Sequence, residues 1–211
     1  MRKSTRERLV ALVRRSIPLL IQEHRFWTSA PRGMHVKGPK SGLMYSVSRY
    51  YAQTDAPRPE SYREDLELCK KLGASAEVEC RHEIFREIAS AAESGQDFSS
   101  RWLKNPSELH TAQTTRLIPV DLNAFLLRLE TDIACFASRL GGKKWQSVSK
   151  DYIHLAERRR SAFHELFWDR DACQWHDLLS TILFRLLWTV GSVVNVEGTI
   201  QGVSDSELRA T

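Results

Sequence analysis

From Val120 to Gly142 the apolar residues Leu122, Leu126, Leu129, Ile133, Phe136 and Leu140 recur alternately four and three positions apart. That spacing lays one continuous apolar stripe along a helix. Asp121 is its predicted N-cap and Gly141–Gly142 its end. Trp145, Val148, Tyr152, Leu155, Phe163 and Leu166 carry the pattern onto a second helix, and so short a connection makes the two antiparallel. Upstream, Ser16 is a predicted N-cap with Pro18 in the first turn, opening a helix that runs to about Ser29. Further helices are predicted over about Ser61–Leu72 and Cys80–Ser94, the latter stopped by Gly95. One segment breaks the helical period. "HVKGPKSGLMYSVSRYY" sets turn residues from Gly38 to Gly42 between extended runs, which predicts a small β-hairpin within residues 34–51. Helix pairs with a single small hairpin predict an all-α layered or toroidal domain.

Composition adds little to this picture and charge adds one feature. The 211 residues are 42% hydrophobic and 27% charged, an ordinary globular balance. The net charge of +5 sits in the first fifteen residues, where Arg2, Lys3, Arg6, Arg8, Arg14 and Arg15 face only Glu7. The rest of the chain is balanced, so the basicity belongs to an N-terminal arm and no nucleic-acid partner is expected. Such an arm is a solvated helix face or an Arg-rich transit sequence. It is not a secretory signal, because Arg14 and Arg15 interrupt the run "LVALV" too early; as written, the chain reads as cytoplasmic. Cys69, Cys80, Cys135 and Cys173 form no CxxC pair and read as reduced thiols. "HEIFR" at 82–86 begins like a zinc-protease motif, but Arg86 stands where the second histidine would be. The stretch 178–196 is the most apolar; Arg185, Gly191 and Asn195 inside it argue for a core-facing segment rather than a membrane span.

The candidate chemistry lies in two loops. In "AAESGQDFSSRW", Asp97 stands among a glycine, an aromatic ring and a guanidinium. It reads either as a helix cap accepting from the amide of Ser99 or Ser100, or as a catalytic acid whose pKa is raised by partial burial. In "APRPE", Pro57 and Pro59 stiffen the chain around Arg58 and Glu60. Those two are either a surface ion pair or rigidly held hydrogen-bonding groups for a polyhydroxylated ligand.

Several motifs in order bear on the choice. "RYYAQTDAPRPESYREDLEL", "AAESGQDFSSRWL" and "LIPVDLNAFLLRLE" resemble the trehalase family of glycoside hydrolases, and "FWDRDACQWHDL" resembles a later hairpin segment of that family. The resemblance runs from about Ile17 to Leu178 and divides the chain into a basic arm (1–16), a trehalase-like segment (17–178) and a divergent tail (179–211). It implies part of an (α/α)6 toroid and the hydrolysis of α,α-trehalose to two glucose molecules with inversion, without a metal or organic cofactor. Position by position, Asp97 then matches the general acid. Arg58, Pro59 and Glu60 match the Arg-Pro-Glu sugar-binding loop, and Gly95 a glycine whose backbone lies against the sugar. Asp121 and Asn123 match a motif read as structural.

Inversion also needs a second carboxylate, about 6.5–9.5 Å from the first, to activate water. The family's general-base glutamate lies on a later segment than this chain covers, and the Gly-Gly-Arg-rich and Gln-Trp-Asp-rich signatures are missing. Gln96 replaces the family's usual tryptophan. The chain alone is therefore expected to be nearly inactive, and a non-catalytic sugar-binding or interaction protein is the alternative. Part of a toroid would also leave apolar helix faces uncovered, a surface for association.

Overall fold

The computed structural model describes residues 4–71 and 78–180, which are mostly helical. Ser4 and Glu7 open helix α1 (Thr5–Thr28) with a capping box: the Glu7 amide donates to Ser4 Oγ and the Ser4 amide to the Glu7 carboxylate. The start predicted at Ser16 is therefore wrong. The Ser16 hydroxyl donates back to the Leu12 carbonyl, and Pro18 lies inside a continuous helix. An interior proline costs about 3 kcal/mol of helix stability. Burial of Ile17 and Ile21 on either side of it offsets that cost, at roughly 1.5–3 kcal/mol per side chain.

The predicted hairpin is present as β1 (Gly33–Lys37) and β2 (Met44–Ser48), in register from Gly33 opposite Ser48 to Lys37 opposite Met44. Val36 and Val47 face inward onto Ile118, Phe163 and Phe167. Helix α2 (Tyr62–Lys70) follows a short 3-10 turn at Pro59–Ser61, and α3 (Val78–Glu93) ends just before Gly95. Helices α4 (Val120–Leu140) and α5 (Gly142–Ala162) pack along their length as the antiparallel pair expected from the Gly-Gly connection. Gly141 and Gly142 both have positive φ, a turn that a side chain at either position would strain. Phe163 and Leu166 fall beyond α5, in a π-helical turn spanning Phe163–Phe167.

The stripe on α4 faces inward as its spacing predicted, Leu122, Leu126 and Ile133 buried and Leu129, Phe136 and Leu140 partly so, but it serves two clusters. Ile133, Ala134 and Ala137 pack with Ile17, Ile21, Val148 and Tyr152, while Leu122 and Leu126 pack with Tyr50, Ala91 and Trp102. The "FWDRDACQWHDL" segment forms a hairpin, β4 (Trp168–Asp169) against β5 (Gln174–Trp175). β6 (Leu178–Leu179) then pairs with β3 (Leu117–Ile118). Of the apolar stretch 178–196, only residues 178–180 are described; the rest lies outside the described residues. Among the described residues, no helix is long and apolar enough to cross a membrane. Leu12, Leu19 and Phe26 on α1 and Phe125 on α4 are exposed apolar side chains.

A buried polar network joins these elements. Glu130, only 1% exposed, accepts at Oε1 from His24 Nε2 (2.9 Å) and Arg159 Nε (2.9 Å), so α1, α4 and α5 meet at one carboxylate. Burial alone would raise its pKa, but the His24 and Arg159 contacts prevail and hold it below the ordinary value. Asn123 extends the network to the hairpin. Its side-chain amide accepts from the Ser48 amide (2.9 Å) and donates to the Ser48 carbonyl (2.8 Å), as a neighbouring strand would, while Arg159 Nη1 donates to its Oδ1. At the far end of the hairpin, Glu165 accepts from the amides of Lys40 and Ser41 and from the Tyr45 hydroxyl. The Ser41 amide and hydroxyl, then Tyr45, bring its pKa down to about 2.

Two outcomes follow. Glu130→Ala leaves His24 and Arg159 buried without their acceptor, and is expected to lower the unfolding free energy by about 3–5 kcal/mol in urea titrations followed by tryptophan fluorescence. A loss within experimental error would contradict the network's role. Glu165, with its folded pKa below the ordinary 4.5, stabilises fully above that pH and progressively less as pH falls towards about 2. Melting temperature should accordingly drop more between pH 6 and pH 3 in the unaltered chain than in Glu165→Gln; equal drops would refute the assignment.

Candidate active site

The loop carrying Arg58 is fastened along α3. The Tyr51 amide donates to Glu93 Oε2 (2.9 Å), whose other oxygen holds Arg32, and the Ala52 amide donates to Ser90 Oγ (2.9 Å). Arg58 ends this run in extended backbone, the conformation that a following proline imposes, and Pro59 starts the 3-10 turn. The Arg58 fork grips Asp65 of α2, Nε to Oδ2 at 3.0 Å and Nη2 to Oδ1 at 2.8 Å, while its own amide also donates to Oδ2. Asp65 is buried and is the main cause of the raised Arg58 pKa. The surface ion pair and the sugar-binding fork were alternatives in the sequence; here much of the fork is already committed to Asp65. The opposite requirement, an unencumbered group, is met by Glu60, which is exposed.

The acid loop begins at Gly95, whose φ of +69° is the left-handed conformation that favours glycine at a helix end. Among the described residues a Cβ there would meet no atom within 4 Å, so the demand for glycine that they impose is conformational rather than steric. Phe98 is also left-handed, at φ +57°, a conformation uncommon for an aromatic residue. Between them, Asp97 is exposed rather than partly buried. Nor is it a helix cap: the 3-10 turn Ser100–Trp102 is capped by the Ser99 hydroxyl, which accepts from the Arg101 amide. The two loops meet at Phe98, where the Arg58 guanidinium lies 5.1 Å from the ring centroid. Asp97 is among the charges that act on Arg58. Arg58, Phe98 and Asp97 are thus one neighbourhood.

Under the acid loop lies a group that the sequence did not single out. Arg101 is gripped by Asp121 at the start of α4 and by Asp177 just before β6. Burial works against its charge, yet the two carboxylates raise its pKa above the ordinary arginine value. Asp121 is likewise held below the ordinary carboxylate range, Arg101 outweighing the effect of burial. Asp121 is therefore not the N-cap of α4, a place taken by Pro119 without a side-chain bond. Trp102 is buried beneath, donating from Nε1 to the Gln96 carbonyl (2.9 Å) and packing edge-to-face on Tyr50. Burial, with Asp121 nearby, pushes the Tyr50 hydroxyl up to about 12. Arg101 was visible in "DFSSRW", but Asp121 and Asp177 lie 20 and 76 residues away, beyond any local pattern.

Paired helices with a small hairpin packed on them make up a fragment of a helical toroid. The chain belongs to the trehalase family, whose sequence profile, described as Trehalase, matches residues 1–181. It is 41% identical over 166 residues to the protein named Trehalase in Arabidopsis thaliana, covering 79% of this chain and 25% of that one. It is 38% identical over 168 residues to the Probable trehalase of Oryza sativa subsp. japonica, covering 80% and 28%. The Trehalase of Homo sapiens is 38% identical over 170 residues, covering 79% and 27%. The chain thus spans about a quarter of the length of these relatives.

Proposed function

We propose that this chain contributes the proton donor and one sugar-binding wall to a site that hydrolyses α,α-trehalose. Asp97 is the general acid: it protonates the glycosidic oxygen as the bond to the anomeric carbon breaks, and that oxygen leaves on one glucose. Water supplies the oxygen of the other glucose from the opposite face, which inverts the anomeric centre. Arg58, Pro59 and Glu60 bind one glucose ring, Glu60 accepting from its hydroxyls, and Gly95 leaves room for the ring against its backbone. The observation that carries this reading is the meeting of the two loops at Phe98, with Asp97 and Glu60 exposed beside them.

The second carboxylate, which activates the water, belongs to a part of the toroid beyond the quarter matched here. The exposed Leu12, Leu19 and Phe26 on α1 are spaced as a face that packs on further helices, which supports the same view. The 211-residue chain should therefore bind trehalose while releasing glucose only at background rate. A sugar-binding protein without turnover would look the same in isolation; adding the remaining three-quarters of a trehalase separates the two, since only a true acid restores turnover.

Calorimetry with trehalose tests the binding claim. Glu60→Ala is expected to weaken binding by about tenfold, the loss of a charged hydrogen bond, without lowering the melting temperature. Asp97→Asn should bind as the parent does. Absence of heat at millimolar trehalose, or restored glucose release in the complemented enzyme that survives Asp97→Asn, would refute the proposal.

A further inference from the structure

We propose that Arg101 is the positioning residue for Asp97, acting through Gln96; this rests on the reading of Asp97 as proton donor. The guanidinium has five N–H groups, and all five have acceptors. Nε and Nη2 donate to the two oxygens of Asp177, each at 2.6 Å. Nη1 and Nη2 donate to the two oxygens of Asp121, at 2.8 and 3.1 Å. The remaining Nη1 proton goes to Gln96 Oε1 at 3.0 Å, and Gln96 Nε2 closes the ring by donating to Asp121 Oδ2 at 3.1 Å.

Both carboxylates are themselves fixed to the first turn of α4. Asp177 Oδ1 accepts from the Val120 amide (2.9 Å) and Asp121 Oδ1 from the Leu122 amide (2.8 Å). Arg101 therefore joins the acid loop, α4 and the segment leading into β6 at one point. Gln96, the residue before the acid, is held through every polar group it has. Its amide donates to Ser94 Oγ (3.0 Å), and its carbonyl accepts from the Ser99 amide (3.2 Å) and from Trp102 Nε1 (2.9 Å). Its side chain is held at both ends by Arg101 and Asp121.

On the other side of Asp97, the Phe98 ring is covered by Arg58. The backbone that carries the acid is clamped on both sides, while the carboxyl itself stays exposed. Proton donation requires a donor held in place, because a misplacement of about 1 Å can cost about a hundredfold in rate. The clamp also gives Gln96 a role where the resemblance led us to expect an aromatic wall: the amide links the acid loop to the arginine, which an indole in its place could not do with the same acceptor and donor pair. Lysine cannot replace Arg101, since three protons on one nitrogen do not reach five acceptors in a planar fork.

The test compares the full chain with Arg101→Lys and Gln96→Ala. Amide hydrogen exchange is read at residues 96–99, trehalose affinity by calorimetry, and global stability by melting. Gln96→Ala leaves both aspartate pairs of Arg101 in place, so it decides the matter if Arg101→Lys does not fold. Both variants are expected to speed exchange at 96–99 and, because the Gly95 backbone proposed to lie against the ring shifts with Gln96, to weaken trehalose binding by about tenfold, with exchange in α4 and α5 unchanged. Unchanged protection at 96–99, or unchanged affinity despite faster exchange, would overturn the positioning role. If the unaltered chain bound no trehalose, the donor reading of Asp97 would fail, and this proposal with it; variants that bind as well as the parent would overturn the positioning role alone.

Discussion

The structure depends on one buried carboxylate. An ionised group with 1% exposure is unfavourable by several kcal/mol unless its partners are fixed in place, and Glu130 has two, His24 from α1 and Arg159 from α5. This requirement sets the relative positions of three helices more narrowly than apolar packing would, since apolar faces slide and hydrogen bonds of 2.9 Å do not. The geometry continues through Arg159 to Asn123 and from there to the backbone of Ser48, so the hairpin is placed by the same constraint. Among the described residues the second oxygen of Glu130 has no hydrogen-bond partner, and both donors share the first.

From that core, placement passes outward along α4. Its middle carries Glu130, and its first turn carries Asp121, which together with Asp177 holds Arg101. The acid loop thus sits on the end of the helix that the core fixes most firmly. The Arg58 loop takes a different route, through α3 and Asp65, and the two meet at the Phe98 ring. The proposed trehalose site would thus be assembled from two loops on two separate supports.

What was legible in the sequence followed range. The stripe on α4 and the Gly-Gly break are signals within one element, and both stand as read. Ser16 and Pro18 are equally local but misled, because a helix start was inferred where the burial of Ile17 and Ile21, a tertiary effect, carries α1 straight through. Asp121 has the chemistry of a cap, and a distant arginine takes it instead. Asp97 could not be separated from a cap by spacing. Several ordered motifs raised it, and the structure removed the cap by giving that role to Ser99. Arg101 stood in the quoted stretch throughout, but its meaning lies in carboxylates far along the chain. Asp65 was nearer to hand, an acid in the first turn of α2 seven residues after Arg58.

The central claim is that the Arg58 loop and the acid loop form one sugar-facing surface on a frame fixed by Glu130. Nuclear magnetic resonance of the isotopically labelled 211-residue chain, titrated with trehalose, tests it most directly. The account predicts amide shifts concentrated at Arg58, Glu60 and residues 95–98, saturating together with a single affinity. Shifts confined to one loop, or centred elsewhere in the molecule, would contradict it.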